Sequence, residues 1–415
     1  MPDPAPDAAI RDSSPHIEAD TPAFRRANLA MFVGGFATFA LLYAPQPILP
    51  RLVSDFAVAP TTASLAVSLG TAALAMMLLP ASVLSDRYGR QPLMKTSLAL
   101  ATVIAFATAL AADFNQLLVL RMLLGAVLAG LPASAMAWLG EEISPRAQGR
   151  AMGLYIAGNA LGGMSGRFLV ACITDWSSWR IAVATLAVLG LVATIVFWRC
   201  LPPSQHFRAR DIHPARILAD ARTLFADAGL RRLFATAFLL MGVFTSLYNY
   251  LGFRLHAAPF GLGQSAIGAV FLLYFVGTLS SAWTGRLVDR IGRRAVLWTM
   301  ILVSSTGLAV TTVDHLPAIV AGVAVFTFGY FGAHTTASGW VGRRAGERRA
   351  LATAIYLCSY YLGASVIGTL SGLAWESRGW AGVTAALGVC IALAFSTAWR
   401  LRKLVPATSR EALTV

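Results

Sequence analysis

Apolar runs of about 20 residues, long enough to cross a bilayer, recur along the whole chain and constrain its fold more than any other feature. Twelve can be counted, at roughly 28–50, 62–84, 92–112, 116–138, 150–172, 178–199, 231–253, 264–286, 295–313, 317–340, 348–372 and 378–400. A bilayer offers no partner for backbone N–H and C=O groups, so each run must satisfy its own, as a helix does. A membrane barrel would alternate apolar and polar residues in segments of about 10. Runs such as LGTAALAMMLLPASVL do not alternate. Composition agrees, because only 13% of residues are charged, against about 25% in soluble proteins. The sequence predicts an all-α polytopic membrane protein.

The net charge of +14 invites a nucleic-acid reading, but its placement argues otherwise. Arg51, Arg180, Arg254 and Arg378 fall on one side of the predicted bundle and Arg121 and Arg167 within helices. All other Lys and Arg fall on the side of the two termini. This bias is the signature of a cytoplasmic face. It predicts a multi-pass protein of the cytoplasmic (inner) membrane with both termini inside. Residues 1–27 read as a disordered tail, being proline-rich and polar over 1–22 with no signal-peptide core. The four cysteines lie in or beside apolar runs without ligand spacing, so no metal site and no disulfide are expected.

The longest interruption, residues 200–230, divides the chain into six-helix bundles at 28–199 and 231–400, with a tail at 401–415. A short amphipathic helix near 214–226 is expected in this linker. The halves repeat one another. LSDRYGRQPLM at 84–94 returns as LVDRIGRRAVL at 287–297, with Asp86 and Asp289 203 residues apart. LYIAGNALGG (154–163) matches IYLCSYYLGA (355–364). Repeated bundles place a substrate site near mid-membrane, between the halves. In each charged turn, Gly89 or Gly292 can end a helix in the left-handed region. Asp86 lies at the unfavourable end of its helix dipole and needs a partner.

The pattern G-x-L-a-D-r-x-G-r-r, carried by Asp86, Arg87, Gly89 and Arg90 and again by Asp289, Arg290, Gly292 and Arg293, resembles the signature of the major facilitator superfamily. The second copy is the closer, since Ser82 stands at the leading glycine of the first. The resemblance covers about 28–400 and implies twelve transmembrane helices as two pseudo-symmetric six-helix bundles. In the fifth run, Gly158, Gly162, Gly163 and Gly166 resemble the antiporter motif of proton-coupled efflux members, with Gly163 and Arg167 departing from it. A stripe of small residues also suits plain helix packing. YIAGNALGGMSGRF and LYNYLGFRL are most similar to the acriflavine-sensitivity-type efflux subgroup.

Arg121 and Arg167 each lie roughly 8 Å from the outer ends of their helices. They either face a cavity or partner, or snorkel outward. None of the nineteen carboxylates falls in the middle third of a predicted helix. The depth match suggests that Asp55 pairs with Arg121 when the outer side closes and titrates when it opens, which makes Asp55 the expected proton-coupling group. His334, the one histidine inside a run, reads as a proton site, a substrate ligand or a packing residue. Candidate cavity residues are Tyr43, Gln46, Asn159, Arg167, Tyr248, Asn249, Tyr250, His334, Tyr356 and Tyr360. The tyrosines at 43 and 248–250 could instead form an interfacial belt.

These features predict a secondary active transporter, not an enzyme, that exports small organic molecules in exchange for protons by alternating access. It needs no cofactor beyond the proton gradient, and a monomer suffices in the lipid bilayer. No phosphate-binding loop, H-E-x-x-H or G-x-S-x-G is present. Uptake of an organic anion is the second reading, prompted by Arg121 and Arg167 with no acid beside them.

Overall fold

A computed structural model describes residues 16–209 and 214–402. Among them, nine helical stretches are long and apolar enough to cross a membrane. The last stretch, Leu316–Leu401, holds three rods, and a twelfth, Arg293–Val310, starts on two arginines that lower its mean hydropathy. In chain order these are α1 Pro22–Phe56, α2 Pro60–Tyr88, α3 Arg90–Ala109, α4 Phe114–Glu142, α5 Gln148–Trp176 and α6 Trp179–Cys200. The second half comprises α7 Ala228–His256, α8 Gln264–Ile291, α9 Arg293–Val310 and α10 Leu316–Ala345. Its last two rods, α11 and α12, are the arms of Arg349–Leu401. They part where Arg378 and Gly379 leave helical geometry. A separate helix, Pro214–Ala226, lies in the linker.

Of the expected tail 1–27, residues 1–15 lie outside the described residues. The rest is not free. Ile17 bridges to Ile143, with its N–H on the Glu142 carbonyl and its own carbonyl taking the Ser144 N–H. Thr21 then caps a helix that begins at Pro22, six residues before the expected run.

Proline breaks α1 near its middle. Regular helix ends at Tyr43, a tight turn follows at Gln46–Ile48, and Leu49–Phe56 completes the rod. Pro45 and Pro47 bring no N–H to the ladder, so the carbonyls four residues earlier need other donors. The charged turns are as tight as expected, but their glycines end the helices in an extended backbone of positive φ and not in the expected left-handed helical region. Gly89 (φ 104°, ψ 146°) and Gly292 (φ 82°, ψ 151°) both have positive φ, in a region essentially restricted to glycine.

The glycine stripe is a helix seam. A Cβ at Gly158, Gly162 or Gly166 would strike the backbone of Phe32, Phe36 or Ala40, so α5 lies against α1 with nothing between them. The second half repeats this packing where Gly363 of α11 meets Phe238 of α7.

The two ends of the molecule differ. At the end away from the linker, Glu376 accepts from the backbone N–H and hydroxyl of Thr61 (3.1 and 2.6 Å). Asp175 accepts from the backbone N–H groups of Gln264 and Ser265 (3.2 and 3.1 Å). Both contacts join the halves. At the linker end, positions Gly149 and Gly153 of α5 and Gly285 of α8 face open space. By contrast, a Cβ at Gly268, near the far end of α8, would strike Ala171 of α5. Helices α5 and α8 therefore touch at the far face and splay at the linker face.

Candidate functional site: a cavity between the halves

Between the halves lies a cavity of about 180 Å³, lined by Tyr43, Asn159 and Arg167 from the first half and Phe244, Tyr274 and Tyr360 from the second. Arg167 dominates its chemistry. The side chain is 3% exposed, and its guanidinium lies 4.0 Å from the Tyr43 ring centre and 5.0 Å from that of Tyr274. Nε donates to Gln46 Oε1 (2.6 Å), and Nη1 donates to the Gly163 carbonyl. No carboxylate pairs with it among the described residues. The snorkelling reading fails here, because aromatic faces and two acceptors hold the charge inside.

Arg121 does not snorkel either, and it serves a different purpose. It is 1% exposed. Nη1 donates to the Leu41 carbonyl (3.0 Å), Nε to the Ala66 carbonyl (3.0 Å), and Nη2 to the Leu42 carbonyl. Leu41 lies four residues before Pro45, so its carbonyl is one that the proline leaves without a helical N–H. The expected Asp55–Arg121 pair is absent although the far face is closed. Arg121 is fully engaged by backbone, and Asp55 accepts from the Trp179 indole (2.8 Å).

Of the other predicted cavity residues, Tyr43, Asn159 and Tyr360 line the wall, and Gln46 sits behind Arg167. Asn249 bonds to Gln46 across the interface (2.8 Å). Tyr248 lies behind the wall, bonded to Thr327 (2.8 Å) and packed edge-on to Tyr274. Tyr250 is farther off, stacked on Trp375. The belt reading is overturned for Tyr43, Tyr248 and Tyr250, all of which are buried. His334 accepts or donates at Nδ1 with the Tyr356 hydroxyl (3.0 Å), and its ring packs on Tyr360, 4.8 Å between centres. Sequence reading missed Tyr274 and Phe244. Tyr274 directly follows a 3₁₀ stretch at Val270–Leu273, so a simple helical wheel does not give its direction.

The two charged turns do different work. Asp86 finds the partner it needs in Arg90 (2.8 Å), which also makes a fork to Glu141 of α4 (2.6 Å to each oxygen). Arg87 rests over the Tyr88 ring. In the second copy Asp289 and Arg290 are exposed and form no ion pair among the described residues. The reason is legible in the partner helix. Where α4 ends in Glu141 and Glu142, α10 ends in Arg343 and Arg344. Arg344 makes a fork to Asp227 at the start of α7 instead (2.6 and 2.8 Å).

The sequence profile of the Major Facilitator Superfamily matches residues 31–281 and again 233–414. The chain belongs to this superfamily. Among its relatives is the inner membrane transport protein YnfM of Escherichia coli, 40% identical over 395 residues, covering 95% of each chain. The MFS-type transporter YybF of Bacillus subtilis is 41% identical over 368 residues, covering 89% of this chain and 91% of that protein. Among solved structures, a bacterial homolog of the human lysosomal transporter Spinster, inward-facing and occupied, superposes with a TM-score of 0.78 at 13% identity. It covers 93% of this chain and 98% of that one. The superfamily assignment makes this a multi-pass membrane transporter of small molecules and not an enzyme, with the MFS fold of two six-helix bundles.

Proposed function

We propose that the chain carries small organic anions with an apolar or aromatic body by alternating access through the cavity at Arg167. One observation carries the reading: a buried guanidinium without a carboxylate partner among the described residues forms part of a wall rich in aromatic rings. An anion can supply the missing charge, and tyrosine and phenylalanine faces can hold its body. The cavity is intramolecular, so a monomer suffices.

The proposed setting is the inner membrane, with the arginine-rich linker face in the cytoplasm. On that orientation the closed far face is the outer one, and the splayed α5–α8 face admits cargo from within. The proposed direction is export driven by protons, supported by the likeness of the α5 stripe to the antiporter motif. The proposed proton site is His334, because no carboxylate of the described residues lies in the middle of a span and His334 touches the cavity through Tyr360.

The test is flux in reconstituted vesicles. Benzoate should move in wild type, and benzamide, its neutral counterpart, should not. Arg167→Gln should abolish benzoate flux while the protein still inserts and elutes as a folded species. Retained flux in Arg167→Gln refutes the anion site. His334→Gln should leave benzoate exchange intact while removing its response to an imposed pH gradient.

A further inference from the structure

Gln46 lies in the broken stretch of α1 and Asn249 in α7, the first helices of the two halves. They meet. Gln46 Nε2 donates to Asn249 Oδ1 (2.8 Å) and more weakly to the Thr245 carbonyl (3.4 Å). Gln46 is 2% exposed and Asn249 is fully buried. One residue along, the Gln264 side chain donates to the Pro47 carbonyl, a second bond between halves. The Gln46 oxygen is held by Arg167 Nε.

We infer that Gln46 and Asn249 form a latch on the far face, and that cargo releases it by drawing Arg167 away from Gln46. This rests on the anion reading of the cavity. Both are positioning residues, acting through Arg167.

The geometry gives the reason. An amide has one oxygen and one NH₂ group, so the Arg167 bond to the oxygen fixes which edge of Gln46 faces Asn249. A carboxylate binds guanidinium best through two parallel N–H bonds. Nε is committed to Gln46 and Nη1 to Gly163. Of the five guanidinium N–H groups these two bonds use one each, so a two-pronged anion displaces Gln46 when it takes the side-on edge that includes Nε. Gln46 then loses the bond that orients it. The closed state is also poised to part, since Asn249 Nδ2 and Thr245 Oγ1 are buried without a hydrogen-bond partner among the described residues. Opening would hydrate both.

The test is amide hydrogen exchange of the full chain in lipid nanodiscs, following the far-face segment 257–263 and, as control, the linker-face segment 343–349. Asn249→Ala should speed exchange at 257–263 roughly tenfold, the value of one ordinary hydrogen bond, and leave 343–349 no faster. Arg167→Lys, which keeps the charge and loses the Nε–H, should speed the same segment. The double variant Asn249→Ala/Arg167→Lys should exceed neither single variant. Benzoate should speed 257–263 in wild type but not in Asn249→Ala, and benzamide should do nothing.

Unchanged exchange in Asn249→Ala, additive effects in the double variant, or faster exchange in both segments would overturn the latch. If benzoate is silent while the variants behave as stated, the latch stands and the anionic cargo is what fails.

Discussion

Arg121 supplies the donor that Pro45 denies to the Leu41 carbonyl. Removing the guanidinium with Arg121→Leu strips donors from three carbonyls, of which Leu41 has no helical N–H to fall back on. A buried acceptor left unpaired costs about 1–3 kcal/mol. Loss of the charge itself relieves some desolvation, so the net penalty for the variant should be about 2–4 kcal/mol, within the range for breaking a buried polar network. The distinguishing step is a second substitution. Pro45→Ala brings an N–H to position 45, four residues after Leu41, and can satisfy that carbonyl. In a wild-type background it gains little, since Arg121 already donates there. In the Arg121→Leu background it should recover about 1 kcal/mol, the net value of one hydrogen bond. Thermal unfolding in detergent, followed by tryptophan fluorescence on all four proteins of the cycle, measures the coupling. If Pro45→Ala changes the stability of the Arg121→Leu protein no more than it changes that of wild type, Arg121 is not completing the proline-broken ladder.

Three further outcomes follow from particular contacts. Gly162→Val forces a side chain into the Phe36 backbone and should cost about 3 kcal/mol or more, whereas Gly153→Val faces open space and should stay within about 0.5 kcal/mol; the folded fraction on size exclusion separates them. Asp86→Asn breaks a partly buried pair with Arg90 and should lower stability by about 1–2 kcal/mol, while Asp289→Asn should stay within about 0.5 kcal/mol; equal effects in thermal unfolding would contradict the asymmetry. Burial pushes the Asp227 carboxyl up, but the Arg344 fork and backbone N–H groups outweigh it and hold the acid below its ordinary value. A depressed carboxylate contributes stability that is present above its unfolded value of about 3.9 and lost as pH falls through the lower folded value. Proteolysis of the 214–226 linker helix should therefore rise below about pH 4, and Arg344→Gln should shrink that step.

The rods, their pairing into halves and the tight charged turns could be read directly from the chain. Each is a local consequence of residue type: apolar length compels a helix in lipid, and Gly89 and Gly292 permit a backbone other residues resist. The need of Asp86 for a partner was equally local, because a carboxylate at a helix C-terminus is unfavourable wherever that helix goes. The partners themselves were not local. Nothing in the sequence near Arg121 says that it will meet carbonyls 79 and 80 positions earlier. Nothing near Arg167 says that its guanidinium will lie under Tyr43 and face the second half. At equal depth and with the same side chain, one arginine repairs a helix and the other lines a cavity. Periodicity fixes which face of a rod a residue occupies, but not which rod lies against that face. Only the packing of all twelve decides whether a buried charge is spent on structure or left for cargo.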